Sequence, residues 1–307
     1  MTVSDLVIPL VPRRRLVGLS FGATHSARRG MGADVAGSRP YQPGDDMDTI
    51  DWSASARVSS ARASDEFVVR ERYAEVVPHV VAVCDRRPEM AQYRPHLPWL
   101  SKPAAMHHAV ELILDSTDHA RGLAGYLDFA TGEAFWQPPR SDRRLWQTPD
   151  PHLLTPAFFA PADTIARALR YLAEHRRSLP TGSFVFVLSD FIAPLPDECL
   201  LEAVEHGWDI VPVVIQDPLW EQSFPDVAGV VVPLVDPRTG RVADVRLRAA
   251  EAARQREANE RRLATLLARF RSLDLEPILV SSAEPATIHA AFLDWTEQRH
   301  YLRGRPW

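Results

Sequence analysis

His79-Val80-Val81-Ala82-Val83-Cys84-Asp85 is a short apolar run rich in valine and closed by a carboxylate, which reads as a strand with an aspartate at its carboxyl end. Comparable runs fall at 123–129, 183–188, 210–215 and 277–281. Stretches with apolar residues at helical spacing lie at 104–116, 164–177, 246–271 and 285–299. Strands alternating with helices predict an α/β fold, a doubly wound and mostly parallel sheet flanked by helices. Ligands of such sheets bind beyond the carboxyl ends of the strands, which directs attention to Asp85 and Asp190.

Outward from this core the character changes. Residues 1–77 hold few long apolar periodicities and many Arg, Ser, Gly and Asp, and are read as an extended N-terminal arm ahead of the α/β domain at 78–303. Short strands are expected at 16–21 and 66–73, and an open loop at 23–37. Residues 230–246 read as a hairpin turning on Asp236-Pro237-Arg238-Thr239-Gly240. The proline- and tryptophan-rich stretch 135–161, with Trp136, Trp146 and the pair Phe158-Phe159, is expected to be a long loop packed on its own aromatics.

Within the arm, Ser38-Arg39-Pro40-Tyr41-Gln42-Pro43-Gly44-Asp45-Asp46-Met47-Asp48-Thr49-Ile50-Asp51-Trp52-Ser53-Ala54-Ser55-Ala56-Arg57 sets four carboxylates between arginines. Pro43-Gly44 supplies a tight turn, and the aspartates behind it can bond that turn's backbone. Ile50 and Trp52 are apolar anchors, expected to bury against the α/β domain, with Asp45 and Asp51 pairing Arg39 or Arg57. The spaced acids do not follow the calcium-loop pattern, because no glycine or closing glutamate stands at the required places.

This segment, in particular Arg39, Tyr41, Pro43, Gly44, Asp45, Asp46, Asp51, Trp52 and Arg57, resembles the hallmark of the bacterial Domain of Unknown Function 58 family. The resemblance implies a von Willebrand factor A-like domain. Such domains commonly hold Mg²⁺ through an Asp-x-Ser-x-Ser loop, a threonine from a second loop and an aspartate from a third. The first loop is here Asp85-Arg86-Arg87-Pro88-Glu89, so Arg87 and Glu89 stand at the two serine positions. Asp190 matches the third-loop aspartate, and the second-loop ligand falls on either Asp163 or Thr164. A guanidinium can neutralise Asp85 and Asp190 in a cation's stead, so the site is expected to be degenerate and metal-free. Members of the resembled family are often encoded beside MoxR-type AAA+ ATPases, which implies such an ATPase as the protein partner. Arg86 and Arg87 are the residues expected to meet an acidic group of that partner. Many members carry transmembrane helices ahead of the motif, and this chain looks like a shorter form of them.

Composition narrows the classes further. The chain has 307 residues, 46% of them hydrophobic, enough for a sizeable core. A net charge of −5 does not favour a nucleic-acid partner. Lys102 is the single lysine, which reads as coding bias toward arginine. Cys84 and Cys199 sit in apolar surroundings and read as two buried thiols rather than a disulfide framework or metal cluster, so a reducing, cytoplasmic setting is expected. No apolar stretch approaches the ~20 residues that span a bilayer. No nucleophile elbow, phosphate loop, zinc-ligand pair or catalytic triad is visible. The expectation is therefore a non-enzymatic adaptor. Its competitors are a metal-dependent hydrolase using Asp85, Asp163 and Asp190, and a structural component of cell-envelope assembly.

Overall fold

The structure, a computed structural model, describes residues 6–13, 35–42, 47, 50–62, 66–72, 77–92, 100–141 and 157–303. They form two compact units, residues 14–77 and residues 1–13 with 78–307. The expected strand at 16–21 and motif residues Pro43, Gly44, Asp45 and Asp46 lie outside the described residues, as does Trp146.

In the larger unit, six strands make one sheet in the order β10-β7-β6-β3-β4-β5. They are β3 (His79–Cys84), β4 (Leu123–Asp128), β5 (Phe135–Arg140), β6 (Phe184–Ser189), β7 (Asp209–Ile215) and β10 (Ile278–Val280). All neighbours pair in parallel except β5, which runs antiparallel at the edge beside β4. The chain starts in the middle at β3, builds outward through β4 and β5, then returns to the other side of β3 with β6. The order therefore reverses between β3 and β6.

Alternation along β3 explains why the sheet is covered twice. Val80, Ala82 and Cys84 join one cluster with α2 (Lys102–His119) and α6 (Pro285–Arg303). Val81 and Val83 join another with α3 (Thr164–Glu174), α4 (Asp197–Glu205) and α5 (Ala249–Ser272). A strand buried on both faces needs apolar side chains at successive positions, which β3, β6 and β7 supply.

Residues 6–13, expected in the arm, belong instead to the larger unit. Ile8 is buried, and its N–H donates to Ser116 Oγ at 3.0 Å. Arg299 of α6 donates to Val11 O and, through both Nη atoms, to Asp209 at 2.8 Å. The stretch expected to be one loop at 135–161 begins with strand β5. Pro138 and Pro139 are tolerated there because an edge strand need not donate on both sides. Gly125 is required opposite them, since a Cβ would stand 2.8 Å from Gln137 O. The hairpin forms as read, β8 (Val231–Val235) against β9 (Val242–Arg246).

The smaller unit is less extended than its composition suggests. β1 (Val35–Pro40) and β2 (Val68–Arg72) pair antiparallel, and α1 (Trp52–Arg62) lies between them in sequence. Asp51 caps that helix, its Oδ1 accepting from the N–H of Ser53 and of Ala54 at 3.1 and 3.0 Å. Ser55 Oγ donates to Asp51 O and accepts from Val68 N at 2.8 Å, which fastens α1 to β2. Arg57 Nε donates to Ser53 O of its own helix. Trp52 is not buried as expected: it is 59% exposed and meets Phe67 edge-on at 5.9 Å, with Tyr41 on the same ring at 6.4 Å.

Candidate functional site

The loops leaving β3 and β6 meet where the strand order reverses, and their charges are locked together. Asp85 follows β3 and is fully buried; its N–H donates to Leu188 O of β6 at 2.9 Å. Arg87 turns back over it. The Arg87 N–H and Nε each donate to Asp85 Oδ1 at 3.0 Å, and Nη2 donates to Asp85 Oδ2 at 2.6 Å. The same Nη2 reaches Asp190 Oδ1 across the strands at 2.7 Å. One guanidinium thus joins the two aspartates.

The chain of charges continues on the far side of Asp190. Lys102 Nζ donates to Asp190 Oδ2 at 3.1 Å and also pairs with Glu221 Oε1. Lys102 is the first residue of α2, behind the cap Ser101 and before Pro103, and it is almost wholly buried. Burial alone would lower its pKa, but Asp190 and Glu221 outweigh that and raise it. Asp190 is held below the usual carboxylate range: burial pushes it up, and Lys102 and Arg87 more than compensate. Glu221 goes the other way, burial raising it in spite of Lys102. Of the two carboxylates beside Lys102, Asp190 is therefore the one that keeps its charge to the lower pH.

Short polar contacts hold this chain in place. Ser189 Oγ donates to Asp85 Oδ2 at 2.6 Å and accepts from the Phe191 N–H at 3.0 Å. Ile192 N–H donates to Asp190 Oδ1 at 2.9 Å, and Gln216 Nε2 donates to Asp190 O. Phe191 takes φ 51°, a left-handed conformation unfavourable for an aromatic residue. Its ring packs edge-on against Phe270 at 5.0 Å, which helps to hold it there.

Arg86 points into a second cluster. Its Nη2 donates to Tyr126 Oη at 2.8 Å and its Nε to Asp128 Oδ2 at 3.4 Å, while Tyr126 Oη donates to the same Oδ2 at 2.7 Å. The guanidinium lies 5.3 Å from the Phe158 ring centroid. Cys84, beneath it, is a buried free thiol whose pKa burial pushes up to about 12, so it stays protonated and unreactive.

The ligand positions that the resemblance implies do not all come together. Asp163 is exposed and accepts from Arg167 Nε at 2.7 Å, a bond that lowers its pKa. Thr164 is buried as the first residue of α3. Among the described residues no three His, Cys, Asp or Glu side chains are arranged to hold a metal ion. Asp85 and Asp190 do meet, but around Arg87, so the residues present do not fit Mg²⁺. Arg86 and Arg87, expected to meet a partner, are only 4% exposed and already bound to Asp128, Tyr126, Asp85 and Asp190. Neither can reach a partner's acid without giving up a buried one.

Three large apolar side chains on the loops at this end of the sheet reach solvent, among exposed polar residues such as Gln92, Glu133 and Asp163. Phe159 is 77% exposed, on the segment whose N–H groups bond Ala130 O after β4 and Arg86 O after β3. Ile192 follows Asp190, and Leu219 follows β7; both are more than a third exposed. Glu89, at the second serine position, accepts from Arg238 Nε of the β8–β9 turn at 2.6 Å.

Residues 37–264 match the family described as "Protein of unknown function DUF58". The chain belongs to the DUF58 family. The match begins in the smaller unit and ends within α5, so this DUF58 region includes the motif segment and the whole charged cluster. Three solved structures are remotely similar. BatB from Bacteroides thetaiotaomicron superposes with TM-score 0.39 and 16% identity, over 74% of this chain and 100% of that one. An aerotolerance-related membrane protein from Bacteroides fragilis gives 0.39 and 15%, over 72% and 99%. The pilus adhesin SpaC from Lactobacillus rhamnosus GG gives 0.36 and 11%, over 73% and 31%. Similarity at this level carries nothing about the activity of the DUF58 protein. No curated protein matches the chain. Among the described residues no helix is long and apolar enough to cross a membrane.

Proposed function

We propose that this DUF58 protein is a non-enzymatic adaptor of the cytoplasm, built on a von Willebrand factor A-like domain whose metal place is taken by an arginine. The observation that carries the reading is Arg87 held between Asp85 and Asp190 by bonds of 2.6 and 2.7 Å at the reversal of strand order. A metal-dependent hydrolase needs an open coordination position, and a fixed guanidinium removes it. Strand order supports the fold assignment, because a mostly parallel sheet with Asp85 and Asp190 after adjacent central strands agrees with the doubly wound fold expected from the sequence. That resemblance also supplies the partner, a MoxR-type AAA+ ATPase.

The proposed recognition surface is the rim of Phe159, Ile192 and Leu219 on the loops around the closed crevice, rather than Arg86 and Arg87 themselves. Binding of the purified protein to a MoxR-type ATPase of the same genome, measured by biolayer interferometry, tests the reading. Saturable binding is expected, and Phe159→Ala with Ile192→Ala should weaken it about tenfold or more without changing the melting temperature. Turnover of a phosphate ester with Mg²⁺ or Mn²⁺ that Asp190→Asn abolishes would overturn the reading and favour the hydrolase.

A further inference from the structure

The β8–β9 hairpin forms a two-stranded sheet of its own and is exposed on much of its surface, Val235 by 58% and Val242 by 63%. It is nonetheless tied at both ends. Arg238 at the turn bonds Glu89, and at the base Leu247 is buried. An ordered hairpin with open edges is a template for another strand.

The hydrogen-bond pattern says which edge is open. Asp236 N–H donates to Arg241 O, and the register pairs Leu234 with Ala243 and Val232 with Val245. In an antiparallel ladder the bonded pairs alternate, so Leu234/Ala243 and Val232/Val245 face each other. Val231, Pro233 and Val235 then turn their backbone groups out from β8, and Val242, Asp244 and Arg246 turn theirs out from β9. Pro233 has no N–H, which blocks the middle of the β8 edge. The β9 edge keeps its donors and acceptors.

We infer that the outer edge of β9 pairs antiparallel with β9 of a second copy of this chain, giving a continuous four-stranded sheet across a two-fold axis. Charge selects the register. A pairing centred on Asp244 sets two carboxylates opposite each other, which is destabilising. Centring on Ala243 matches Asp244 only with Val242. Centring on Val245 places Asp244 of each copy opposite Arg246 of the other, at the positions whose backbone groups face outward. Both side chains are exposed, so the two ion pairs form without breaking existing ones.

Sedimentation velocity of the full chain across the micromolar range tests this directly. A concentration-dependent dimer is expected. Asp244→Arg or Arg246→Asp alone should weaken it about tenfold or more, because each exchange turns two attractive pairs into two repulsive ones. The double exchange restores complementarity and should return association to within about threefold of the original. In a Cys199→Ser background, Val245→Cys should cross-link on mild oxidation, since facing residues of a non-bonded pair lie about 4.5 Å apart at Cα, within disulfide range. Val242→Cys should not, its counterpart being displaced along the strand. A strictly monomeric protein, single exchanges without effect, or no cross-link at Val245 would each overturn the inference and leave the edge to a strand from another protein.

Discussion

Arg87 decides the chemistry of the crevice by where its charge sits. Removing it leaves Asp85 and Asp190 buried without the cation they share, and breaking a buried pair from one side typically costs about 3–5 kcal/mol. Arg87→Ala should therefore lower the free energy of unfolding by about that much in urea titration, and calorimetry of the unaltered protein with millimolar Mg²⁺ should show no saturable site. Arg87→Ser with Glu89→Ser restores the hydroxyl positions and should bind more Mg²⁺ than the unaltered protein. Lys102 acts through pH. The depressed pKa of Asp190 means its contribution is present above the unfolded value, near 3.9, and is lost as pH falls through the lower folded value. The raised pKa of Lys102 means its contribution is present below about 10.4 and is lost as pH rises through the higher folded value. Lys102→Met should accordingly cost about 3 kcal/mol at neutral pH, with the difference from the unaltered protein shrinking at both extremes. A constant difference from pH 3 to 11 would contradict this ionic account. Asp85, Arg87 and Asp190 were legible in the sequence because each follows a strand closely. Lys102 was not, since nothing local marks a helix N-terminal lysine as buried, and its partner Glu221 is far away in sequence.

At the scale of elements, strands buried on both faces were the most readable, their apolar runs being continuous. Hidden elements had identifiable reasons. The inward side of α1 is Ala54, Ser55, Val58 and Ser59, half of it serine, so no apolar stripe shows. β5 carries two prolines that an edge can tolerate, and α4 buries only Leu200 and Ala203. The misplacement of residues 6–13 was different, for a short apolar segment carries no sign of which body it joins. Arg299 does carry one once folded: it is bidentate to Asp209, bonds Glu276 and Val11 O, and stacks 4.3 Å from the Trp295 ring. Arg299→Met should destabilise by about 3 kcal/mol or more, because Asp209 is left buried. Ile8→Ala, a cavity at the same junction of elements, should cost about 2–4 kcal/mol in the same assay.

Across the whole molecule, the division into units makes residues 14–77 an insertion within the larger one. The points where the chain leaves and re-enters that unit are close. The Arg13 N–H donates to Asp209, the first residue of β7, and Pro78 directly precedes β3. β7 and β3 flank β6, so their starts are two strand spacings apart, about 10 Å. Insertions whose ends lie this near each other are removable in general, because a short linker replaces them at little entropic cost. Replacing residues 14–77 by a six-residue Gly-Ser linker should then leave the larger unit folded, with a single cooperative melting transition. Deleting residues 1–77 outright removes Ile8, Val11 and the Val11 carbonyl that Arg299 bonds, and should lower stability by several kcal/mol relative to the linker variant. The contrast separates two causes: if both truncations destabilise equally, the smaller unit is needed for the fold of the larger one, and the packing of residues 6–13 is not what matters.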